Sequence, residues 1–212
     1  KCAGVSDRKL GDIESDIKSL NAKSFPVLDD ACGEEMAQRI LKAREEADSV
    51  GGVTETVICG TPAGVGEPWF DSVESVISHA AFSLGGVKGV EFGAGFAAAD
   101  MKGSECNDPF RVSGGRIITT TNNNGGVNGG ITNGMPIIFR CAVKPTPSIA
   151  QTQDTVDFLK NENTQLSIHG RHDPAIIRRI CPVLDSVAAL CVADMLSLRY
   201  GTDVLTKGVD DK

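Results

Sequence analysis

Residues 175–200 constrain this chain more than any other stretch. Ile176, Ile177, Ile180, Val183, Leu184, Val187, Leu190, Cys191 and Leu198 recur at helical spacing and leave little polar surface. A helix that apolar is expected to be a core element, with the rest of the chain packed around it. Pro182 should kink or interrupt it. The entrance to the helix, His169-Gly170-Arg171-His172-Asp173-Pro174, holds two of the three histidines, an arginine and a carboxylate. Asp173 reads as its N-cap and Pro174 as the first helical residue. An arginine beside the positive end of a helix dipole is out of place unless an anion docks there.

The 212 residues suffice for one large domain or two small ones. Seven cysteines is an odd number, and none forms a Cys-x-x-Cys pair. They read as reduced residues of an intracellular protein, neither a disulfide frame nor a zinc site. A net charge of −7 argues against non-specific nucleic-acid binding. Any anionic ligand must therefore be captured by local Lys and Arg. No signal-like N-terminus is seen, and no apolar run reads as long enough to span a membrane. The chain opens on Lys1 without Met, and residues 1–5 read as the end of a strand entered from upstream, as in a fragment.

Leu10, Ile13, Ile17 and Leu20 open an amphipathic segment, and a helix is expected over 34–47 after Cys32-Gly33. Residues 53–59 read as a strand, and Trp69 opens a helix over 69–84 that Gly85-Gly86 stops. Strands are expected over 87–92, 96–101, 116–120 and 137–143. A hairpin is expected to turn at 160–163 and return through 165–168. Strands and helices without strict alternation indicate an α+β fold with antiparallel β-sheets packed on helices.

Several loops could carry chemistry. Asn122-Asn123-Asn124-Gly125-Gly126, Asn128-Gly129-Gly130 and Asn133-Gly134 fit an extended turn region, since Asn and Gly tolerate positive φ. They equally fit backbone amides approaching a phosphate or a flat ring. Lys144-Pro145-Thr146-Pro147-Ser148 is either a rigid exit from a strand or a stiff loop presenting an ammonium, a hydroxyl and backbone donors. Asp173 can be a cap, a general base, or both. No Ser/His/Asp or Cys/His set and no nucleotide-binding glycine motif is present. His169 and His172 alone do not make a metal site.

Ordered along the chain are Asp48-Ser49-Val50-Gly51-Gly52, Gly64-Val65-Gly66-Glu67-Pro68-Trp69-Phe70-Asp71, Val87-Lys88-Gly89-Val90-Glu91-Phe92-Gly93 and Gly103-Ser104-Glu105. The Asn/Gly stretch, the 144–148 loop and Gly170-Arg171-His172-Asp173-Pro174 follow. Together they resemble the chorismate synthase family over residues 45 to 200. The resemblance implies an α+β fold in which antiparallel β-sheets pack against a central helical layer. Residues 1–212 would be a single incomplete domain, the C-terminal part of the family's chain. It also implies a lyase that converts 5-enolpyruvylshikimate-3-phosphate to chorismate and phosphate by anti-1,4-elimination, the last step of the shikimate pathway in aromatic amino acid biosynthesis. Reduced FMN is the implied cofactor, with NADPH as an associated reductant. A cytoplasmic homotetramer, with no nucleic acid or membrane partner, is the implied setting.

Residue by residue, the resemblance gives Asp173 the catalytic role of assisting proton removal. Lys144, Pro145, Thr146, Pro147, Ser148, Gly129, Gly85, Gly86 and Arg171 become cofactor-binding positions, and no metal ligand is implied. Asp185 stands where the family often has Glu, and Ala94 where it often has Asp. The family's Ser-His-Gly motif, second catalytic histidine, phosphate-binding arginines and Ser-Ser-Ala-Arg segment are not among these residues. This stretch is therefore expected to be inactive alone, and His169 and His172 do not take over the missing histidines' roles. The alternative is a non-catalytic scaffold or assembly module that keeps the fold.

Overall fold

The structure, a computed structural model, describes residues 1–208. In chain order the first elements are α1 (Ile13–Asn21), α2 (Asp30–Glu45), β1 (Gly52–Ile58), α3 (Val73–Phe82) and β2 (Val87–Phe92). A 3-10 turn (Gly95–Asp100) and the short α4 (Gly103–Cys106) lead to β3 (Phe110–Ser113) and β4 (Arg116–Thr119). Then come β5 (Val127–Asn128), β6 (Ile131–Thr132), β7 (Ile137–Val143), β8 (Gln153–Asp157) and β9 (Glu162–Leu166), with α5 (Ile177–Tyr200) and α6 (Val204–Lys207) last. The expected α+β class is what forms: helices with several small sheets, of which β3–β4, β5–β6 and β8–β9 are antiparallel pairs. The chain divides into two compact units, Lys1–Val53 with Val143–Ile180, and Thr54–Ala142 with the residues from Cys181 onward. Residues 209–212 of the expected 1–212 domain lie outside the described residues.

In the first unit, α1 is capped by Asp12, which accepts from Ser15 N at 2.8 Å. Its one buried charge, Asp16, accepts two bonds from the Arg8 guanidinium and a third from Gly11 N. Helix α2 begins at Asp30, four residues earlier than expected, because Asp29 is its N-cap and accepts from Cys32 N at 3.1 Å. Cys32-Gly33 therefore lies inside the first turn instead of ahead of it. Residues 1–5 fold into a tight turn bridged from Cys2 to Val5, with Ala3 and Gly4 at positive φ. That turn pairs with the entry to β1: Ala3 N donates to Gly51 O and Val53 N to Lys1 O. Gly52 is enforced by packing, because a Cβ there would strike Lys1 O and Ile177 Cδ1. The expected hairpin forms as β8–β9 but turns at residues 158–161, two residues early, because Asn161 takes the positive φ, and it returns through Glu162–Leu166 instead of 165–168.

The second unit is organised on a sheet of order β1-β7-β2. Strand β7 is central, and its alternation buries Ile137, Phe139 and Cys141 almost completely. Phe139 packs against Phe92 of β2 at a centroid distance of 5.7 Å. Helix α3 lies on β2 and buries Val73, Ile77 and Ala81, positions i, i+4 and i+8 of one face. It starts at Val73 because Ser72 caps it, accepting from Ser75 N at 3.1 Å. Residues 69–71, expected to be helical, form a turn with Trp69 at positive φ and both Trp69 and Phe70 exposed.

Two further expectations fail for local reasons. Residues 96–101 were expected as a strand, but they coil into the 3-10 turn. Gly93 and Gly95 reverse the chain at positive φ, and the Glu91 carboxylate pins the turn by accepting from Phe96 N at 3.0 Å. Strand β3 had no counterpart in the sequence reading, although Gly114-Gly115, both at positive φ, is the two-residue turn a hairpin asks for.

Helix α5 departs from expectation in three ways. It runs through Pro182 without ending. It buries only one stripe, Ile177, Ile180, Leu184, Ala188 and Met195, while Leu190 and Leu198 are more than 70% exposed. It also has the length and mean hydropathy, 1.7, of a helix able to cross a bilayer, which the sequence reading had not credited. Only 28% of that apolar window is buried, and Asp185 and Asp194 fall in mid-helix.

Gly93 gives a stability test. A Cβ there would collide with Asn123 O and Gly125 N, at a φ of 55° that L side chains avoid. Gly93→Ala is expected to cost about 3 kcal/mol, combining overpacking and left-handed strain. Gly85→Ala, with open space and ordinary φ, should leave the melting temperature nearly unchanged.

Candidate functional site

In the first unit, the expected cap at Asp173 is not what forms. Helix α5 takes its first bonds at the Ile176 carbonyl, from Arg179 N at 2.9 Å and Ile180 N at 3.1 Å. Asp173 sits upstream, its Oδ1 accepting from Ala175 N at 3.1 Å in a local turn across Pro174. The Pro174 carbonyl cannot begin the helix because it faces another segment and accepts from Val50 N at 2.8 Å. Asp173 is thus released from capping. Its Oδ2 is buried and has no hydrogen-bond partner among the described residues. Arg179 Nε lies 3.2 Å from that oxygen, an ion pair whose N–H is not aligned for a hydrogen bond.

The 144–148 loop follows β7. Lys144, Pro145 and Pro147 are exposed, and Thr146 and Ser148 are half-buried. The Thr146 carbonyl accepts from Ser49 Oγ at 2.7 Å, while the Thr146 hydroxyl is buried without a partner among the described residues. Gly51 fits beneath the start of this loop, since a Cβ there would collide with Val143 O and come within 3.0 Å of Pro145. Residues 48–51 therefore touch both the loop and the Asp173 turn. The fold thus brings Lys144–Ser148 and Asp173 into one neighbourhood. Arg171 and His169 are exposed nearby in sequence. His172 Nε2 lies 3.1 Å from Ile168 O, and because a carbonyl only accepts, that nitrogen carries the proton.

Gly85, Gly86 and Gly129 belong to the second unit. Gly129 is the exposed tip of the β5–β6 turn at φ 59°, with nothing within 4 Å of a Cβ. Its neighbour Gly130 is enforced by packing, its Cβ position lying 2.8 Å from Ser72 Cβ. Gly86 has φ 97°, the left-handed stop after α3, but Gly85 has neither positive φ nor a close neighbour. The fold alone does not call for glycine at 85.

The Asn-rich turn is organised by Asp108, a residue the sequence reading did not single out. Its carboxylate accepts from Thr121 Oγ1 and Asn123 N at 2.7 Å, and from Asn124 N and Nδ2 at 2.8 Å. Burial pushes this carboxyl up, but the donors from Asn124, Thr121 and Asn123 outweigh it and hold it below the ordinary value. Asn122 adds a bond from Nδ2 to Pro136 O and accepts from Gly126 N. The Asn123 carbonyl takes Ala94 N at 2.7 Å, which ties the turn to the end of β2. There Arg140 Nε pairs with Glu91 at 2.9 Å and Arg140 Nη2 donates to Gly93 O. An open cleft of about 250 Å³ between α3 and α5, lined by Phe70, Asp71, Ser75, His79 and Cys191, contains none of the expected site residues. Among the described residues, no three metal-ligating side chains cluster.

These features define an α+β protein of small sheets and glycine-enforced turns. Known proteins make the assignment specific. The chorismate synthase family model matches residues 5–197. The chorismate synthase of Methanosarcina acetivorans is 49% identical over 183 residues, 85% of this chain and 50% of that protein. That of Thermococcus gammatolerans is 44% identical over 196 residues, 91% of this chain and 55% of that protein. A crystal structure of a chorismate synthase superposes with a TM-score of 0.72 at 29% identity, covering 90% of this chain and 50% of that one. The chain belongs to the chorismate synthase family. It spans about half the length of the curated relatives it matches.

Proposed function

We propose that the full-length protein is a lyase that converts 5-enolpyruvylshikimate-3-phosphate to chorismate and phosphate by anti-1,4-elimination with reduced FMN. One observation carries the reading beyond family membership. The Thr146 hydroxyl and Asp173 Oδ2 are buried without hydrogen-bond partners, in the two segments the resemblance assigns to cofactor and catalysis. An unbonded buried polar atom costs about 1–3 kcal/mol, so the Thr146 hydroxyl, in a segment adjoining an Asp173 Oδ2 that only the exposed Arg179 approaches, favours a polar ligand that satisfies it.

The residues present fit the cofactor. In the first unit Lys144, Pro145, Thr146, Pro147, Ser148 and Arg171 would hold it, with Lys144 and Arg171 supplying the positive charge an anionic ligand needs; Gly85, Gly86 and Gly129 of the second unit are cofactor positions by the resemblance alone. When bound, reduced FMN supplies an electron-rich ring that eases loss of the allylic phosphate. In the substrate the C–O bond to phosphate breaks with its electron pair leaving on phosphate, a ring hydrogen departs, and a new C=C bond forms. Asp173 holds the accepting oxygen for the proton at Oδ2. Arg179 Nε, 3.2 Å from that oxygen, steadies the carboxylate in its place. Pro145 and Pro147 stiffen the loop so that Thr146 meets the ligand without further ordering cost. Work in the cytoplasm as a homotetramer, with NADPH as reductant and neither nucleic acid nor membrane as partner, completes the proposal.

Titration of the full-length protein with FMN, followed by an anaerobic assay on 5-enolpyruvylshikimate-3-phosphate, is the test. Equal release of chorismate and phosphate is expected. A protein that takes up no FMN and turns over no substrate is instead the scaffold that keeps the fold alone.

A further inference from the structure

We infer that Ser49 is a positioning residue of this site: its hydroxyl holds the Thr146 carbonyl and thereby fixes where the Thr146 hydroxyl stands. The inference rests on the FMN-binding reading above. Thr146 lies between two prolines. Pro145 before it has its φ locked, and Pro147 after it confines Thr146 to extended conformations. Little freedom remains beyond a rocking of the whole loop. Ser49 Oγ, 2.7 Å from Thr146 O and 97 residues away in sequence, opposes that rocking.

Ser49 is itself well anchored. Its amide donates to Asp48 Oδ1 at 2.7 Å, and Asp48 N donates to Ala43 O at 2.8 Å. The next amide, Val50 N, bonds to Pro174 O at 2.8 Å. Gly51 then seats the segment under Pro145, where a side chain would not fit. One short strap thus holds the loop on one side and the Asp173 turn on the other. A strap serving the fold alone would have no reason to leave the Thr146 hydroxyl buried and unbonded, or Asp173 Oδ2 buried with only the exposed Arg179 beside it. Holding both segments at a set spacing for a ligand gives it one.

The test is a double-mutant cycle on FMN affinity in the full-length protein, with wild type, Ser49→Ala, Thr146→Val and the double variant. Loss of one hydrogen bond should weaken FMN binding roughly five- to tenfold in each single variant. Because Ser49 acts through Thr146, Ser49→Ala should cost nothing further once Thr146 is Val. Ser49→Thr, which keeps the hydroxyl, should restore most of the affinity. Amide exchange across residues 144–148 should quicken in Ser49→Ala without ligand, while the melting temperature stays close to wild type. Unchanged affinity in Ser49→Ala, or losses that simply add in the double variant, would overturn the role of Ser49 alone. A wild-type protein that takes up no FMN would overturn the cofactor reading and this inference with it.

Discussion

Asp173→Asn in the full-length protein should lower turnover about a thousandfold, within the range general acid–base groups contribute, and leave the fold nearly intact. The structure separates the two effects. The turn at Ala175 depends on Oδ1, which an asparagine carbonyl supplies equally well. The ion pair at Oδ2 is lost, but its partner Arg179 has a side chain 81% exposed, so little stability goes with it. Since Asp173 does not cap α5, no helix start is weakened. Steady-state kinetics and a melting curve on the same preparation decide the matter. A lowered melting temperature with unchanged turnover would make Asp173 a structural residue only.

Asp108→Ala should destabilise the fold as strongly as Gly93→Ala, by removing hydrogen bonds where that change adds a clash. Four hydrogen bonds end on this carboxylate, two of them from the backbone amides of Asn123 and Asn124. Removing it strands those donors in a part-buried turn, at about 3 kcal/mol. For a chain of this size that lowers the melting temperature by roughly 6–12 °C. Hydrogen exchange should locate the damage at residues 122–126. The same carboxylate makes stability depend on acid. Its pKa is held below the ordinary value, about 3.9, so the folded chain binds this proton only at lower pH than the unfolded chain does. The contribution is complete above the ordinary range and drains as pH falls through the folded value beneath it. In Asp108→Ala this acid-sensitive part of the unfolding curve should vanish. A variant as stable as wild type at neutral pH would show the turn to be held by other means.

How much of this could be read from the sequence depends on where each residue's partner lies. Strand β7 is legible because Ile137, Phe139, Cys141 and Val143 alternate between Gly/Pro boundaries. The β8–β9 hairpin is legible as a hairpin, but its turn falls two residues before the expected 160–163. Residues 96–101 carry the composition of a short strand, but the deciding contact is the Glu91 carboxylate on Phe96 N. Asp173 was recognised, but its role as a cap was misassigned. What excludes that role is the Val50 amide on Pro174 O, from a distant segment. Asp108 carries no local signal, and Ser49 stands in a quoted motif that says nothing of its partner. Their bonds reach residues 13 to 16 and 97 positions away. Periodicity reports on neighbours within a turn or two, and these contacts exist only once the chain has closed on itself.

The β8–β9 hairpin has a consequence for solubility. Its two strands present outer edges of backbone N–H and C=O groups, and Val156, Phe158, Leu159 and Leu166 are all at least 50% exposed. Such a ribbon invites a second copy to add a strand. Yet Asp157 stands directly across from Glu162, a like-charge pair that weakens the hairpin slightly, and Asp154 sits three residues before. Two copies brought edge to edge would crowd those carboxylates together. The ribbon gives up some of its own pairing strength, and in return its edges are poorer templates for a second copy.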